Sequence, residues 1–469
     1  MYEINLSRVQ GTRNPMIYGH FIEHFHRQIY DGIFDPASPL ADENGLRKDV
    51  VKALRDIKVP IVRWPGGCFV SSYNWRYGVG ERKAVFDKAW RIEDPNTFGT
   101  DEFIAFCKAV GCDPYICTNA GTGTGEEMSD WLEYCNLEKE GFNAKSRIEN
   151  GSTSPFDVKY WSIGNENYGD WEIGAKTSLE WGRYVAESAK MMKRVDPSIE
   201  LSAAALADIE WNIELLKNAG DYLDWISIHE YWDPTSNDKK LATYEECMAY
   251  TANLDSSVKK VLGILEATGY IDKIKISFDE WNLRGWYHPN AHGKYMPVDK
   301  QEYITPRDKN DDNSSYTMAD AVFTACFLNM LNRYCNHIQM ANFAPTVNTR
   351  GVIYTHPQGI VKRSTYHVFD LYVNYLGNKI VDVWNNETDQ HKMKVKSKKG
   401  ETKEIDVIDL LATVREDGKM AIAIVNKHPE ESQKVSLKMS SEGRTGVPVL
   451  YTISGNSKDD YNDVDRPDQ

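Results

Sequence analysis

Residues 158–166 read VKYWSIGNE, an apolar run that ends in an amide and a carboxylate. The run is short and rich in aromatic and β-branched residues, which is typical of a buried strand. Seven similar runs occur elsewhere, and amphipathic stretches with apolar residues at i, i+3 and i+4 lie between them. The eight strand candidates are residues 16–23, 59–67, 113–121, 158–166, 200–205, 223–231, 275–282 and 337–345. Eight strands that alternate with helices predict an α/β fold, the (β/α)8 TIM barrel.

The pattern changes after residue 376, where the predicted last barrel helix, STYHVFDLYVNYL, ends. The segments that follow are short and alternate apolar with polar residues: KIVDVW, EIDVIDLLATVRE, KMAIAIVNKH, QKVSLKM and VPVLYTIS. They predict a C-terminal antiparallel β-sandwich, jelly-roll-like in form, although five strands leave its completeness open. Residues 1–15 also read as a strand that could join it. The predicted domains are a catalytic barrel over residues 16–376 and a β-sandwich of residues 1–15 and 377–469.

The composition of the 469-residue chain indicates a soluble globular protein, with 41% hydrophobic and 26% charged residues. The net charge of −14 argues against nucleic acid or an acidic substrate as the partner, because an acidic surface repels phosphates and carboxylates. No run of 18 apolar residues predicts a membrane span, and the N-terminal MYEINLSRVQ lacks the apolar core of a signal peptide. Eight cysteines without a secretory signal indicate reduced thiols. A cytoplasmic protein is expected.

Polar and ionisable residues stand at the ends of five predicted strands. In barrels of this kind the carboxyl ends of the strands form the rim of the active site. The residues at these ends are Glu23 with His20 and His24, Pro65-Gly66-Gly67-Cys68, Asn165-Glu166, His229-Glu230-Tyr231 and Asp279-Glu280-Trp281-Asn282. Two carboxylates that flank a bound sugar are the minimum required for glycoside hydrolysis. Glu166 and Glu280 are the pair predicted to do this.

The sequences around the two glutamates predict different roles. Glu166 stands among three aromatic residues, Trp161, Tyr168 and Trp171. A less polar pocket there would raise its pKa and favour the protonated carboxyl that a general acid needs. Glu280 is predicted to lie near His229 and Tyr231, whose donors would keep it ionised, as a nucleophile requires.

Five motifs occur in order along the predicted rim: GHFIEH, RWPGGCFVSSYNWRYGVG, IGNEN, SIHEYW and FDEWN. Together they resemble glycoside hydrolase family 51, whose typical member is a retaining α-L-arabinofuranosidase, and the similarity runs from about Tyr18 to Asn348. The resemblance implies release of terminal non-reducing α-L-arabinofuranosyl residues from arabino-oligosaccharides by double displacement, with Glu166 as acid/base and Glu280 as nucleophile. It implies no cofactor, since retaining hydrolysis needs no metal, and a homo-oligomer, commonly a hexamer.

The same resemblance implies further site residues. Those expected to line the arabinose subsite are Glu23, Asn165, Tyr231 and the backbone around Cys68. Trp90, in AWRIEDPNTFG, would lie near the leaving group, and His229 would brace Glu280. Two positions depart from the best-known members, because Cys68 stands where many have Asn and Pro345 where many have Gln. Both changes alter groups that could hydrogen-bond the furanose, so the preferred linkage and polymer stay open.

Three other motifs suggest sites but fit them poorly. His20, His24 and His26 would share one face of a strand and could ligate a metal, yet support of Glu23 by His20 and His24, with His26 in a loop, explains them better. GTGTGEE, residues 121–127, lacks the third glycine of a dinucleotide fingerprint and would set two acids against an anion. Asp311-Asp312-Asn313 lacks the glycine and the terminal Glu of an EF-hand.

Two other functions remain open for the whole chain. An endo-acting β-glucanase on the same scaffold would need an open groove, which depends on the long loop Leu283–Ser315. A non-catalytic sugar-binding protein is the other alternative, and the presence of both glutamates argues against it.

Overall fold

A computed structural model describes residues 1–233, 240–285, 311–386, 392–440 and 447–468. The strands are β1 (Tyr2–Thr12), β2 (Gly19–Phe21), β3 (Ile61–Trp64), β4 (Val85–Asp87), β5 (Ile92–Asp94), β6 (Asp113–Thr118), β7 (Tyr160–Ile163), β8 (Glu200–Ala203), β9 (Trp225–Asp233), β10 (Lys275–Arg284), β11 (Ile338–Phe343), β12 (Ile353–His356), β13 (Gly359–Lys362), β14 (Lys379–Asn385), β15 (Lys392–Lys396), β16 (Thr402–Asp406), β17 (Ile408–Val414), β18 (Met420–Asn426) and β19 (Leu437–Met439).

The α-helices are α1 (Lys48–Asp56), α2 (Thr100–Val110), α3 (Gly125–Asn136), α4 (Gly141–Glu149), α5 (Ser178–Val195), α6 (Ile209–Ala219), α7 (Tyr244–Tyr250), α8 (Ser256–Thr268), α9 (Met318–Arg333) and α10 (Ser364–Tyr375). Short 3₁₀ helices cover Pro15–Tyr18, Cys68–Ser72, Trp75–Gly78, Thr251–Asn253 and Asn313–Ser315. Among the described residues, no helix is both long and apolar enough to cross a membrane.

Eight parallel strands form the central sheet, in the order β8-β7-β6-β3-β2-β11-β10-β9. The two ends of this order meet through a bridge between Ala204, after β8, and Ser227 of β9. The Ala205 amide also donates to the Ser227 carbonyl over 2.8 Å. The sheet is therefore a nearly closed barrel. Six of its strands lie within predicted segments, and β9 and β10 each extend two residues beyond theirs. The predicted (β/α)8 fold is confirmed.

Helix α5 shows how the outer layer attaches to the barrel. It begins with a capping box, in which the Thr177 amide donates to Glu180 over 2.9 Å and the Glu180 amide donates back to the Thr177 hydroxyl. Its buried residues recur on one face: Trp181, Val185, Ala189 and Met192. Trp181 also donates from Nε1 to the carbonyl of Ala204 over 2.8 Å. This amphipathic face holds the helix against the ends of the strands that carry the site.

A sheet-rich unit follows the barrel in the chain. Its main sheet has the order β18-β17-β14-β1-β19, so the N-terminal strand joins the C-terminal strands as the sequence predicts. A separate hairpin pairs β15 with β16. The predicted strand VPVLYTIS is wrong, because residues 447–454 form no strand and Val447 and Leu450 are exposed. The alternating pattern is present there, but no described strand pairs with its backbone groups, and a ladder requires a partner.

Candidate active site

Glu166 enters the rim through an unusual turn after β7. Gly164 and Glu166 both have left-handed backbone conformations, with φ of +72° and +45°. A side chain at residue 164 would collide with Asn167 and with the Trp181 ring, so only glycine fits. At Glu166 the conformation costs about 1 kcal/mol or more, and such strain is concentrated at functional sites. The turn brings the Glu166 carboxylate to the strand ends of β9 and β10.

Glu280, on β10, is held by two donors from other strands. Arg63 of β3 donates from Nη1 to Oε1 over 2.6 Å, and Tyr231 of β9 donates its hydroxyl to Oε2 over 2.9 Å. The nearest carboxylate oxygens of Glu166 and Glu280 lie within 4.8 Å of one another. Retaining glycosidases hold their two carboxyl groups about 5–5.5 Å apart, whereas inverting enzymes need about 6.5–9.5 Å. The spacing suits direct attack by a carboxylate.

Arg63 was not among the residues predicted from the sequence. Its side chain is fully buried inside the barrel. Besides Glu280, it reaches Asn165 Oδ1 over 3.0 Å and the Asp279 carboxylate over 3.3 Å. One guanidinium thus fixes three polar groups from two strand ends, which its planar fork of donors allows.

His229 bridges the carboxylates. Its Nδ1 lies 2.8 Å from Glu166 Oε1 and 3.7 Å from Glu280 Oε2, and its Nε2 lies 3.3 Å from Asp279 Oδ1. Burial would lower the pKa of His229, but the charge of Glu280 and the hydrogen bonds with Asp279 and Glu166 raise it to about 10. His229 is therefore an imidazolium at neutral pH. It contacts Glu166 more closely than Glu280, which it was expected to brace.

The expected pKa order of the two glutamates is wrong. Burial raises the pKa of Glu166, but the hydrogen bond and charge of His229, with a 2.9 Å hydrogen bond from Trp171 Nε1, bring it below its ordinary value. Burial also raises the pKa of Glu280, and there the opposing charges of His229 and Arg63 do not fully offset it. Aromatic neighbours near Glu166 suggested an apolar pocket, yet Trp161 lies in the core, where its Nε1 donates to the Val158 carbonyl over 2.8 Å.

Glu23 forms a buried corner of the site. Its Oε1 accepts from the Phe69 amide over 2.9 Å and from Trp90 Nε1 over 3.2 Å. A Cβ at Gly67 would lie 2.9 Å from both oxygens of Glu23, so the glycine lets the loop after β3 close over the carboxylate. Burial, with the charge of Glu280, raises the pKa of Glu23 well above its ordinary value. Trp90 thus lies in the wall of the site, beside Glu23.

Asn165 and Cys68 both lie near Glu166. The Asn165 side chain is fully buried, and its Nδ2 has no hydrogen-bond partner among the described residues. Such a donor is available to a sugar hydroxyl. Cys68 is partly exposed, and its Sγ lies within 4.8 Å of carboxylate oxygens of both Glu166 and Glu172. Hydrogen bonds and ion pairs, in part through Arg63, join five of the residues predicted for the site: Asn165, Glu166, His229, Tyr231 and Glu280. Glu23 and Trp90 contact each other, and the charge of Glu280 raises the pKa of Glu23.

Glu172 is a further carboxylate of the site, and it was not predicted. It lies in the same loop as Glu166, is 5% exposed, and neither of its oxygens has a hydrogen-bond partner among the described residues. Burial and the charge of Glu166 raise its pKa to about 7. The Cys68 thiol and the Ser71 hydroxyl lie close enough to oppose this in part, but neither is oriented as a hydrogen-bond donor to it. The sequence offered one indication of this role, namely that Glu172 ends the stretch WSIGNENYGDWE that contains Glu166. No spacing rule predicts where the side chain of a loop residue lies.

The three histidines considered as metal ligands are separated by the fold. His20 is buried with its ring centroid 4.8 Å from that of Phe369, and burial lowers its pKa to about 3. His24 pairs through Nδ1 with Asp94 over 2.8 Å. The groups that could hold a metal among the described residues contain Glu166 and none of these histidines.

The remaining sequence motifs have structural roles. Thr124, in GTGTGEE, caps α3, and Asp312 accepts from the Ser314 amide over 3.0 Å. Pro345 is buried just after β11. In the loop Leu283–Ser315, residues 286–310 lie outside the described residues, so the predicted dependence of groove shape on this loop stays a prediction.

Comparison with known proteins agrees with this geometry. Residues 53–249 match the model of the α-L-arabinofuranosidase 1 domain, and residues 279–469 match that of the α-L-arabinofuranosidase C-terminal domain. The chain is 33% identical to α-L-arabinofuranosidase C of Emericella nidulans, over 95% of this chain and 87% of that protein. It is 34% identical to the intracellular exo-α-(1→5)-L-arabinofuranosidase of Halalkalibacterium halodurans, over 92% of this chain and 85% of that protein.

Solved structures give the same assignment. The α-L-arabinofuranosidase of Thermotoga maritima, crystallised with arabinose, superposes with a TM-score of 0.85 at 33% identity, covering 100% of this chain and 93% of that one. The family 51 enzyme of Thermotoga petrophila gives 0.84 at 34% identity, covering 99% and 93%. With both family models, near full-length relatives and a carboxylate pair at retaining distance, this chain belongs to the α-L-arabinofuranosidases of glycoside hydrolase family 51.

Proposed function

We propose that this enzyme releases terminal non-reducing α-L-arabinofuranosyl groups from arabino-oligosaccharides, with Glu280 as nucleophile and Glu166 as acid/base. The observation that carries the proposal is the pair of carboxylates within 4.8 Å of one another. The spacing leaves no room for a water between them and so favours double displacement with retention. The exo-α-(1→5) activity named for the Halalkalibacterium halodurans relative supports action at chain ends.

In the first step Glu280 attacks the anomeric carbon while the bond to the leaving oxygen breaks. Arg63 and Tyr231 hold one oxygen each, at 2.6 and 2.9 Å, so the carboxylate is oriented before substrate arrives. The leaving oxygen takes a proton from Glu166. Because the pKa of His229 is raised and that of Glu166 is lowered, the shared proton rests on His229 Nδ1. It must pass across the 2.8 Å hydrogen bond to Glu166 Oε1 before Glu166 can act as the acid.

In the second step water attacks the glycosyl-enzyme, and Glu166 accepts its proton. Glu280 is then esterified and carries no charge. The negative charge of each glutamate raises the pKa of the other. Loss of the Glu280 charge therefore lowers the pKa of Glu166. Glu166 gave up its proton in the first step. Its lowered pKa keeps it ionised, so it can act as the base in the second.

The substrate half of the proposal is tested by comparing aryl substrates. Purified enzyme should cleave 4-nitrophenyl α-L-arabinofuranoside much faster than the aryl β-glucoside, and it should release arabinose from (1→5)-arabino-oligosaccharides without shortening β-glucan. Faster action on the glucoside or on β-glucan would favour the endo-β-glucanase alternative instead.

We further propose that the enzyme acts in the cytoplasm as a homo-oligomer, a hexamer by its resemblance. The word intracellular in the name of the Halalkalibacterium halodurans relative supports the location. Activity in the soluble cell extract and a hexamer mass by light scattering are expected. Native enzyme in the medium of unlysed cells would contradict the first, and a monomer would contradict the second.

A further inference from the structure

We propose that Cys68, Glu166 and Glu172 form a binding site for Zn²⁺, and that the bound ion inhibits the enzyme. One ligand atom from each residue lies within 4.8 Å of the other two: the Cys68 sulfur and one carboxylate oxygen each from Glu166 and Glu172. The binding half of the proposal is independent of the proposed function, whereas inhibition rests on Glu166 being the acid/base.

The geometry is close to that of a zinc site. Zn–S and Zn–O bonds of about 2.3 and 2.1 Å at tetrahedral angles place ligand atoms roughly 3.5 Å apart. Each pair of ligand atoms therefore needs to close by at most about 1.3 Å, which side-chain rotation allows. Two of the three residues, Glu166 and Glu172, lie six positions apart in one loop, and Cys68 begins the 3₁₀ helix after β3. A water would complete the tetrahedron.

The surroundings of the Glu172 carboxylate point to a bound ligand. Its side chain is 5% exposed, and neither carboxylate oxygen has a hydrogen-bond partner among the described residues. A buried carboxylate without a donor is costly, and such groups are normally paired or coordinate a metal. Two cationic side chains are described in the site. Arg63 contacts Glu280, and His229 contacts Glu166 and Glu280. Neither forms a described ion pair with Glu172.

The ligand set selects the metal. A thiolate with two carboxylates suits Zn²⁺, because Mg²⁺ and Ca²⁺ prefer oxygen ligands alone. Cys68 is also reachable, being one of two partly exposed cysteines among the eight, with Cys112 the other. Zinc bound to Glu166 occupies the carboxylate that must exchange a proton with the leaving group, so binding and hydrolysis exclude each other.

The test is calorimetric titration of the full-length, chelator-treated enzyme with ZnCl₂. Wild-type enzyme is expected to bind one Zn²⁺ per chain, and Cys68→Ser and Glu172→Gln should each weaken binding about tenfold or more. Cys112→Ser, which removes the other partly exposed thiol, should bind as wild type does, and MgCl₂ should give no comparable signal. Unchanged zinc affinity in both Cys68→Ser and Glu172→Gln, with normal melting curves, would overturn the proposal, as would absence of binding to wild type.

Inhibition is measured separately on an aryl α-L-arabinofuranoside, with each variant compared to its own metal-free rate. Zinc should inhibit wild type and Cys112→Ser equally, and EDTA should restore the rate. In Cys68→Ser and Glu172→Gln, the zinc concentration that gives half-inhibition should be about tenfold higher or more. If zinc binds to an enzyme that cleaves the arabinofuranoside but does not slow that cleavage, the proposal that bound zinc inhibits is refuted. If zinc binds as expected but no arabinofuranoside is cleaved, the proposed function fails and the metal site stands.

Discussion

Arg63 Nη1 donates to Glu280 Oε1 over 2.6 Å, and both side chains lie buried at the strand ends of the barrel, 0% and 6% exposed. The same guanidinium reaches Asn165 and Asp279. Glu280, the proposed nucleophile, is thus held on one strand by a cation from another. The relationship makes Arg63 a positioning residue for the reaction.

Replacement of Arg63 should therefore impair catalysis more than binding. Arg63→Lys keeps the charge but loses the fork of donors, and we expect kcat on an aryl arabinofuranoside to fall about a hundredfold with a smaller change in KM. Arg63→Gln leaves buried carboxylates unpaired and should also cost about 3–5 kcal/mol of stability. Arg8→Lys is the control, because Arg8 is 68% exposed and forms a surface ion pair with Asp382. Equal kcat in Arg63→Lys and wild type would contradict the role.

Trp171→Phe tests the electrostatics at Glu166. The Trp171 indole N–H donates to Glu166 Oε2 over 2.9 Å and lowers the pKa of that carboxyl. Removing the donor should raise the pKa, so the limb of the pH–rate profile that belongs to Glu166 should move to higher pH. Trp384→Phe, at a 66% exposed position in β14, should leave the profile unchanged. A limb that stays in place or moves to lower pH would show that Trp171 does not control this carboxyl.

His229 predicts how stability varies with pH. Its pKa is raised to about 10 in the folded protein, against about 6.5 in the unfolded chain. Its stabilising contribution is therefore complete below about pH 6.5 and is lost as the pH rises towards 10. Urea unfolding of wild type should show this loss, and His229→Gln should show a flatter dependence over the same interval. His428→Gln, in the C-terminal unit, is the control and should follow wild type.

The glycine beside Glu23 offers a matched pair of substitutions. In Gly67→Ala the new methyl would lie 2.9 Å from both oxygens of Glu23, so the carboxylate must move and kcat/KM should fall about tenfold or more. Gly263→Ala in α8 meets nothing within 4 Å and should raise stability by about 0.5–1 kcal/mol without loss of activity. Unaltered activity in Gly67→Ala would mean that the position of Glu23 does not matter to catalysis.

The barrel and the two glutamates could be predicted from the sequence because both depend on local pattern. Eight apolar runs alternate with amphipathic stretches, and polar residues at the run ends must share one rim. Arg63 escaped prediction because IVRW reads as an ordinary buried strand, and Glu172 because a loop residue has no fixed place. The pKa order was wrong because His229 was expected to act on Glu280, whereas its shorter contact is with Glu166.

The roles of Glu166 and Glu280 are tested most directly by the configuration of the product formed with azide. With Glu166→Ala and an aryl α-L-arabinofuranoside bearing a good leaving group, Glu280 can still form the glycosyl-enzyme, and azide then attacks without a general base. Nuclear magnetic resonance should identify the α-arabinofuranosyl azide, with retained configuration. With Glu280→Ala, azide can only displace the leaving group directly and should give the inverted β-azide. An inverted azide from Glu166→Ala together with a retained azide from Glu280→Ala would reverse the two roles and contradict the account.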